Sequence, residues 1–379
     1  MAVRTPDRVT IETGRGTFDR FSALQIVNDI EGRSEAIMET GDDGSGADLY
    51  DIVKPGELFT VRLNGRPRLT GRAEVNDITG DADSGVKLKL TLRTKLADAR
   101  YCNADPKLKM KDATIKTFIL ALYAKLGYVE SDFVFNIGSE RDLMTGVVKG
   151  HKAPVDIAPA KADSMKINPN ETIFAAAERQ LKRLHVQQWE APDGRIMIGA
   201  PDDEQSPLFR FQSRRGRDAQ GNNVIGFQRG LDWSEVPGAM AIYGKSQVGD
   251  GTGDVSFKDV KGVSIDPDLN AVRLRNGHFY RPVHMQNEWA KTQAAVDAIA
   301  ARERSLRSRS KDTWTVKVDG WTYWDGSTST PYATDTTADV DVLTGPQGRY
   351  LIHKVGMTYG VDQRASTMIG IVAAGIWAI

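Results

Sequence analysis

The residue types best suited to metal or proton chemistry are five histidines: His151, His185, His278, His284 and His353. No two stand three or four apart, the spacing that places two ligands on one helical face. "YGKSQ" offers Gly244, Lys245 and Ser246 in the order of a phosphate loop. That loop needs a glycine five residues before Gly244, and the position holds Ala239. The acid-rich stretches "GDDGSGAD" and "DADSG" miss the calcium-loop spacing. Counted from Asp81, the fifth and sixth positions are Gly85 and Val86, so turns explain both stretches better. No serine lies in a nucleophile-elbow pattern. The residues therefore specify no catalytic centre, cofactor or metal site.

One charged run asks for an explanation. "ARERSLRSRSK" sets Arg302, Arg304, Arg307, Arg309 and Lys311 against a single acid, Glu303. It closes a helical pattern running from about 287 to 308, with Ala295, Ile299 and Leu306 on one stripe. Cations favour a helix C-terminus, by roughly 0.3–1 kcal/mol each at exposed sites. No aromatic residue interleaves with the arginines, so single-strand stacking is unsupported. The run reads either as a charged helix end or as a basic lining facing nucleic acid.

The elements around it are mostly strands. In the first hundred residues Val9 and Ile11 share a face. Phe59, Val61 and Leu63 alternate before Asn64-Gly65, a strong hairpin turn, and Leu69 and Ala73 lie on the return strand. Val86, Leu88, Leu90 and Leu92 repeat the alternation. Strands at this spacing predict a small antiparallel barrel or sandwich. Near residue 100 the texture changes. Ile115, Phe118, Ile119, Leu122 and Leu126 stand at helical spacing, with Asp112 as N-cap and Gly127 as stop. A second helix opens at "NPNETIFAAAERQLKRL", with Asn168 as N-cap, Pro169 at the first helical position and Glu171 closing a capping box. A hairpin turned at Asp193-Gly194 follows. Residues 137 to 166 read as a long loop. Beyond the long helix the chain returns to strands, with Trp314, Val316 and Val318 alternating and Ile352 set against Leu351 and His353. The fold class is thus α+β and β-rich. It divides into a β module at 1–100, an α+β domain at 101–205 and a second β module at 206–379 carrying the long helix.

Length and charge bound the function. At 379 residues, two to four domains are expected. Fifty basic and fifty acidic residues leave no net charge, which argues against a dedicated nucleic-acid binder. Cys102 is the single cysteine, so no intrachain disulfide and no cysteine zinc cage can form. The first residues lack a signal-peptide apolar core. The apolar C-terminus, "STMIGIVAAGIWAI", is shorter than the ~20 residues of a spanning helix. It reads as a buried final strand or tail.

The order of these pieces resembles the baseplate hub proteins of Mu-like contractile-tailed phages. That group is related to late-control tail proteins and to the hub part of type VI secretion spikes. The resemblance is carried by "LNGRPRLTGRAEV", "TLRTKLADARYCNA", "NETIFAAAERQLKRLHVQQWEAPDGRIMIG", "AMAIYGKSQ" and "YRPVHMQNEWAKTQAAVDAIAARERSLRSRSKDTWTVKVDGW". The polar loop "WDGSTSTPYATDTTADVDVLTGPQG" and the apolar C-terminus depart from it.

The resemblance implies a homotrimeric ring in which each subunit offers two related β-barrel modules. The ring would join a sixfold tail tube to a threefold central spike, alongside other baseplate proteins. It would enclose a channel that DNA crosses without sequence-specific binding. Such a protein belongs in the virion tail baseplate, is assembled in the host cytoplasm and is not an enzyme. The competing readings are a tail-associated cell-wall hydrolase and a type VI-like spike hub. Ring closure needs apolar surface, for which Ile371, Ile376 and Trp377 are the candidates. Arg304, Arg307 and Arg309 are the candidate channel-facing residues.

Overall fold

The computed structural model describes residues 7–41, 54, 56–81, 85–110, 113–136, 165–182, 186–215, 221–249, 255–276, 281–287, 290, 292–360 and 363–374. Seven strands come first: β1 (Val9–Thr13), β2 (Gly16–Phe18), β3 (Ala23–Asp29), β4 (Glu35–Gly41), β5 (Leu58–Leu63), β6 (Arg66–Asp81) and β7 (Gly85–Thr94). The Asn64-Gly65 turn joins β5 to β6, with φ of 52° and 77° at the two residues. Asparagine and glycine tolerate those left-handed angles, which is why this pair sets the hairpin register. Phe59, Val61, Leu63, Leu88, Leu90 and Leu92 are buried, as the alternation predicts.

The middle of the chain is mixed. It contains α1 (Leu96–Tyr101), β8 (Lys109–Met110), α2 (Ile115–Ala124), β9 (Phe133–Asn136), β10 (Met165–Lys166), α3 (Ile173–Leu181), β11 (Gln187–Glu190) and β12 (Ile196–Gly199). Helices α2 and α3 contribute Phe118, Ile119, Leu122, Ala176, Ala177 and Leu181 to one core. Gly127, at φ 82°, ends the turn after α2. The N-caps differ from the sequence expectation. Thr114 caps α2 by accepting from Thr117 N, and Thr172 caps α3 by accepting from Ala175 N. Asp112 lies outside the described residues. Glu171 does reach back to Asn168 N, at 3.0 Å, but one turn early, and its carboxylate also holds Arg179. The Asp193-Gly194 hairpin joins β11 to β12, with Gly194 at φ 86°.

The remaining chain begins with β13 (Phe209–Ser213) and β14 (Val224–Gly230). A separate unit follows: β15 (Ala239–Gly249), β16 (Val255–Ile265), α4 (Pro267–Asn276), β17 (Pro282–Gln286) and α5 (Gln293–Ser308). Here α5 covers a three-stranded sheet, burying Val296, Ile299 and Ala300 against Met240 and Ile242. The long helix is therefore part of a folded insertion with its own sheet. The chain then returns through β18 (Thr313–Asp319), β19 (Thr322–Trp324), β20 (Ser329–Pro331), β21 (Thr336–Val342), β22 (Gln347–Gly360) and β23 (Gln363–Ala373).

The β modules are not two closed barrels. One thirteen-stranded sheet runs β14-β18-β23-β22-β3-β4-β7-β6-β5-β1-β2, with β13 and β21 branching from β22, and no described sheet closes on itself. The two halves meet where β22 pairs antiparallel with β3, from Lys354↔Asp29 to Gly360↔Ala23. One apolar core lies beneath both, from Val9 and Leu92 to Val316 and Ile371. At His353 a bulge interrupts β22. Just before it, Leu351 and Ile352 point to opposite faces, as strand neighbours do, and both are buried. Ile352 enters the shared core, while Leu351 packs with Trp189 of the middle domain.

Candidate functional site

No group of three or more His, Cys, Asp or Glu side chains that could hold a metal occurs among the described residues. His353 is largely buried at the bulge, and burial lowers its pKa. His284 bonds the Tyr243 hydroxyl at 3.1 Å. His151, His185 and His278 lie outside the described residues. The Gly244 stretch is mid-strand in β15, where backbone amides serve the sheet and cannot cradle a phosphate. Of the acid-rich stretches, residues 42–50 and 82–84 lie outside the described residues.

A cleft of about 560 Å³ opens at the seam of the two modules, between Asp7, Arg8 and Phe21 on one side and Trp321 and Tyr359 on the other. Its polar groups answer each other. Asp7 accepts from Thr322 Oγ1 at 3.0 Å and from Asn64 Nδ2 at 2.9 Å, and Arg8 pairs with Asp19 at 2.7 Å. Tyr359 stands edge-on to both Phe21 and Trp321. Through Asp7 these contacts tie the first module to the second along the seam.

Three cations of the basic run meet carboxylates of their own chain. Asp266 caps α4, accepting from Asp268 N at 3.1 Å and Leu269 N at 3.0 Å, with Pro267 at the first helical position. Its carboxylate is buried and needs cations. Lys311 approaches at 3.3 Å and Arg304 at 3.8 Å. Arg304 also donates to Ser264 Oγ at 2.9 Å, and Lys311 pairs with Asp268 and lies over the Trp233 ring. Arg309 donates to Glu31, in the turn between β3 and β4; burial lowers its pKa and Glu31 opposes that. Arg307 is half-buried at the last turn. Arg304 and Arg309, two of the residues expected to face a channel, are paired within the subunit with carboxylates of their own chain. The carboxylates they meet lie far away in sequence, so no local pattern revealed them.

Ile371 is corrected. It is fully buried, facing Ile352 on one side and Trp314 on the other, so its side chain belongs to the subunit core. Ile376 and Trp377 lie outside the described residues. Exposed apolar surface is found elsewhere: Ile225 and Phe227 on β14, and Val263, Ile265 and Leu274 on the insertion. No described helix is long and apolar enough to cross a membrane.

No family model and no curated protein matches the chain. Solved structures do. A tail protein from Neisseria meningitidis MC58 superposes with a TM-score of 0.75 at 17% identity, over 98% of both chains. The 43 kDa tail protein of prophage MuSo2 from Shewanella oneidensis gives 0.71 at 17% identity, over 98% of this chain and 99% of that one. An E. coli type VI secretion component, described as structurally similar to the T4 tail proteins gp27 and gp5, gives 0.56 at 10% identity, over 97% and 78%. The chain thus has, across nearly its whole length, the fold of phage tail proteins, shared with a type VI secretion component.

Proposed function

We propose that this chain is the structural hub subunit of a contractile phage tail. Three copies close a ring that joins the sixfold tube to the threefold spike and other baseplate proteins, and DNA passes through its channel without sequence-specific binding. The three parts of the chain, 1–100, 101–205 and 206–379, then serve as ring module, outer domain and second ring module. Ejection is mechanical, so the subunit needs rigidity and interfaces and no catalytic group. The observation that carries this reading is the near end-to-end likeness to two tail proteins. In this role the protein resides in the tail baseplate of the virion, after assembly in the host cytoplasm.

Light scattering on the purified protein tests the ring: the expected mass is three times the 41.6 kDa subunit. A single-subunit mass at all concentrations contradicts it. The likeness to the type VI component favours a spike hub of a secretion system as a second reading. Immunolabelling of induced phage particles separates the two, since a tail hub labels the tail end. Clearing in a cell-wall zymogram would instead support a hydrolase.

A further inference from the structure

Five strands of the first β module recur, in the same order, in the second. In chain order β3, β4, β5, β6 and β7 correspond to β14, β18, β21, β22 and β23. The sheet order agrees, since β3-β4-β7-β6 matches β14-β18-β23-β22, with every pair antiparallel. The first half of β6 pairs with β5, as the first half of β22 pairs with β21. Even the bulges agree, after Ala73 in β6 and after Ile352 in β22. The repeat is imperfect at its start, where β1 runs antiparallel to β5 but β13 runs parallel to β21.

The repeat leaves two edges unmatched. The second half of β22 is covered by β3. Among the described residues, no strand pairs with the corresponding edge of β6, residues 75–81. The outer edge of β14, the counterpart of β3, is likewise unpaired by any described strand. β14 exposes Ile225 and Phe227, where a solvated edge strand is ordinarily blunted by charge or proline.

We infer that β14 of one copy of this chain pairs antiparallel with β6 of the next, repeating between subunits the β22–β3 joint found within each. This rests on the ring reading above and specifies its contact. The contact joins two different patches, so it propagates head to tail and can close a ring. The internal joint also fixes the register. Ala73 faces Leu92 as Ile352 faces Ile371, so beyond the bulges Val75 corresponds to Lys354. Ile26 faces Ala36 and Arg229 faces Trp314 at matching positions, so Arg229 corresponds to Ile26. Because Ile26 faces Met357 within the chain, Arg229 faces Ile78 across the interface. Thr79 then faces Gln228, and Asp77 faces Gly230.

Thr79, Asp77 and Gln228 are exposed in the subunit, which makes them fit positions for cysteine. In a Cys102→Ser background, Thr79→Cys with Gln228→Cys should oxidise to covalent dimers and trimers, while either single variant should not. The offset pair Asp77→Cys with Gln228→Cys should crosslink roughly tenfold less, because diagonal neighbours exceed disulfide reach. A protein of three-subunit mass that forms no crosslink at 79 and 228 overturns the pairing but leaves the ring. Equal yields from the two pairs overturn the register. A single-subunit mass overturns both the ring and the pairing.

Discussion

The Lys311 ammonium lies 3.3 Å from the Asp266 carboxylate, one of the most deeply buried charges in the described chain. The same carboxylate caps α4, so the end of α5 and the start of α4 are fixed by one group. Asp266→Ala removes the cap and leaves Lys311 and Arg304 facing an empty site. The expected loss is about 3 kcal/mol, read from urea unfolding. Asp266→Asn keeps an oxygen for the cap and should lose less. Alanine at Arg304, Arg307 and Arg309 together should lower the melting temperature. Unchanged stability with slowed genome delivery would contradict this placement of the run.

Stability should fall as pH rises from about 4.5 to about 7. Burial raises the Glu190 pKa to about 7, against hydrogen bonds from Thr94 and Leu96 N. Burial likewise raises that of Asp335 to about 7. Both carboxyls bind protons more tightly folded than unfolded, so the folded state gains over this window as pH drops. Above pH 7 both contributions level off. Glu190→Gln retains an acceptor for Leu96 N, so it should raise the melting temperature at pH 8 and flatten the slope. Asp335→Asn should do the same in part, since asparagine tolerates the φ of 56° at that position.

Helix α5 rests directly on glycine. A Cβ on Gly262 would lie 2.3 Å from the Val296 carbonyl oxygen, and one on Gly244 would lie 2.1 Å from that of Ala290. Gly262→Ala should therefore lift α5 from its sheet at a cost of about 1–3 kcal/mol. Hydrogen exchange should show lost protection over 293–308 and unchanged protection in β22 and β23.

Trp189 should be the pivot of the middle domain. It packs with Ile30, Leu351 and Val372, from three strands or turns of the large sheet. Trp189→Ala should cost about 3–5 kcal/mol. Limited proteolysis should then cut between the domain and the sheet sooner than in the parent protein.

Local physics was legible in the sequence and long-range pairing was not. Asn64-Gly65, Gly127 and Gly194 declared their turns, because each requires a backbone that few other residues adopt. Alternation placed Phe59, Val61 and Leu63 inside. The cap residues were misassigned because Asn168 and Thr172 both precede the helix, and only packing chooses between them. The β22–β3 ladder joins residues more than three hundred positions apart, and strand text carries no address for its partner. The same holds for Arg309 and Glu31. An end-to-end likeness to tail proteins was legible through the order of segments. The relation of the two β modules came from the resemblance alone; the residues did not display it, because the insertion of residues 239–311 interrupts the second copy.

The β22–β3 joint also sets a constraint on biosynthesis. β3 leaves the ribosome early, but its partner strand is among the last segments made. At translation rates of about 5–20 residues per second, that delay is roughly tens of seconds. Through all of it the nascent chain carries an unsatisfied strand edge beside its apolar face, the arrangement most apt to mispair with a neighbouring chain on the same polysome. Yield of the native protein should therefore depend on how well the cell shields β3 until the final strands emerge.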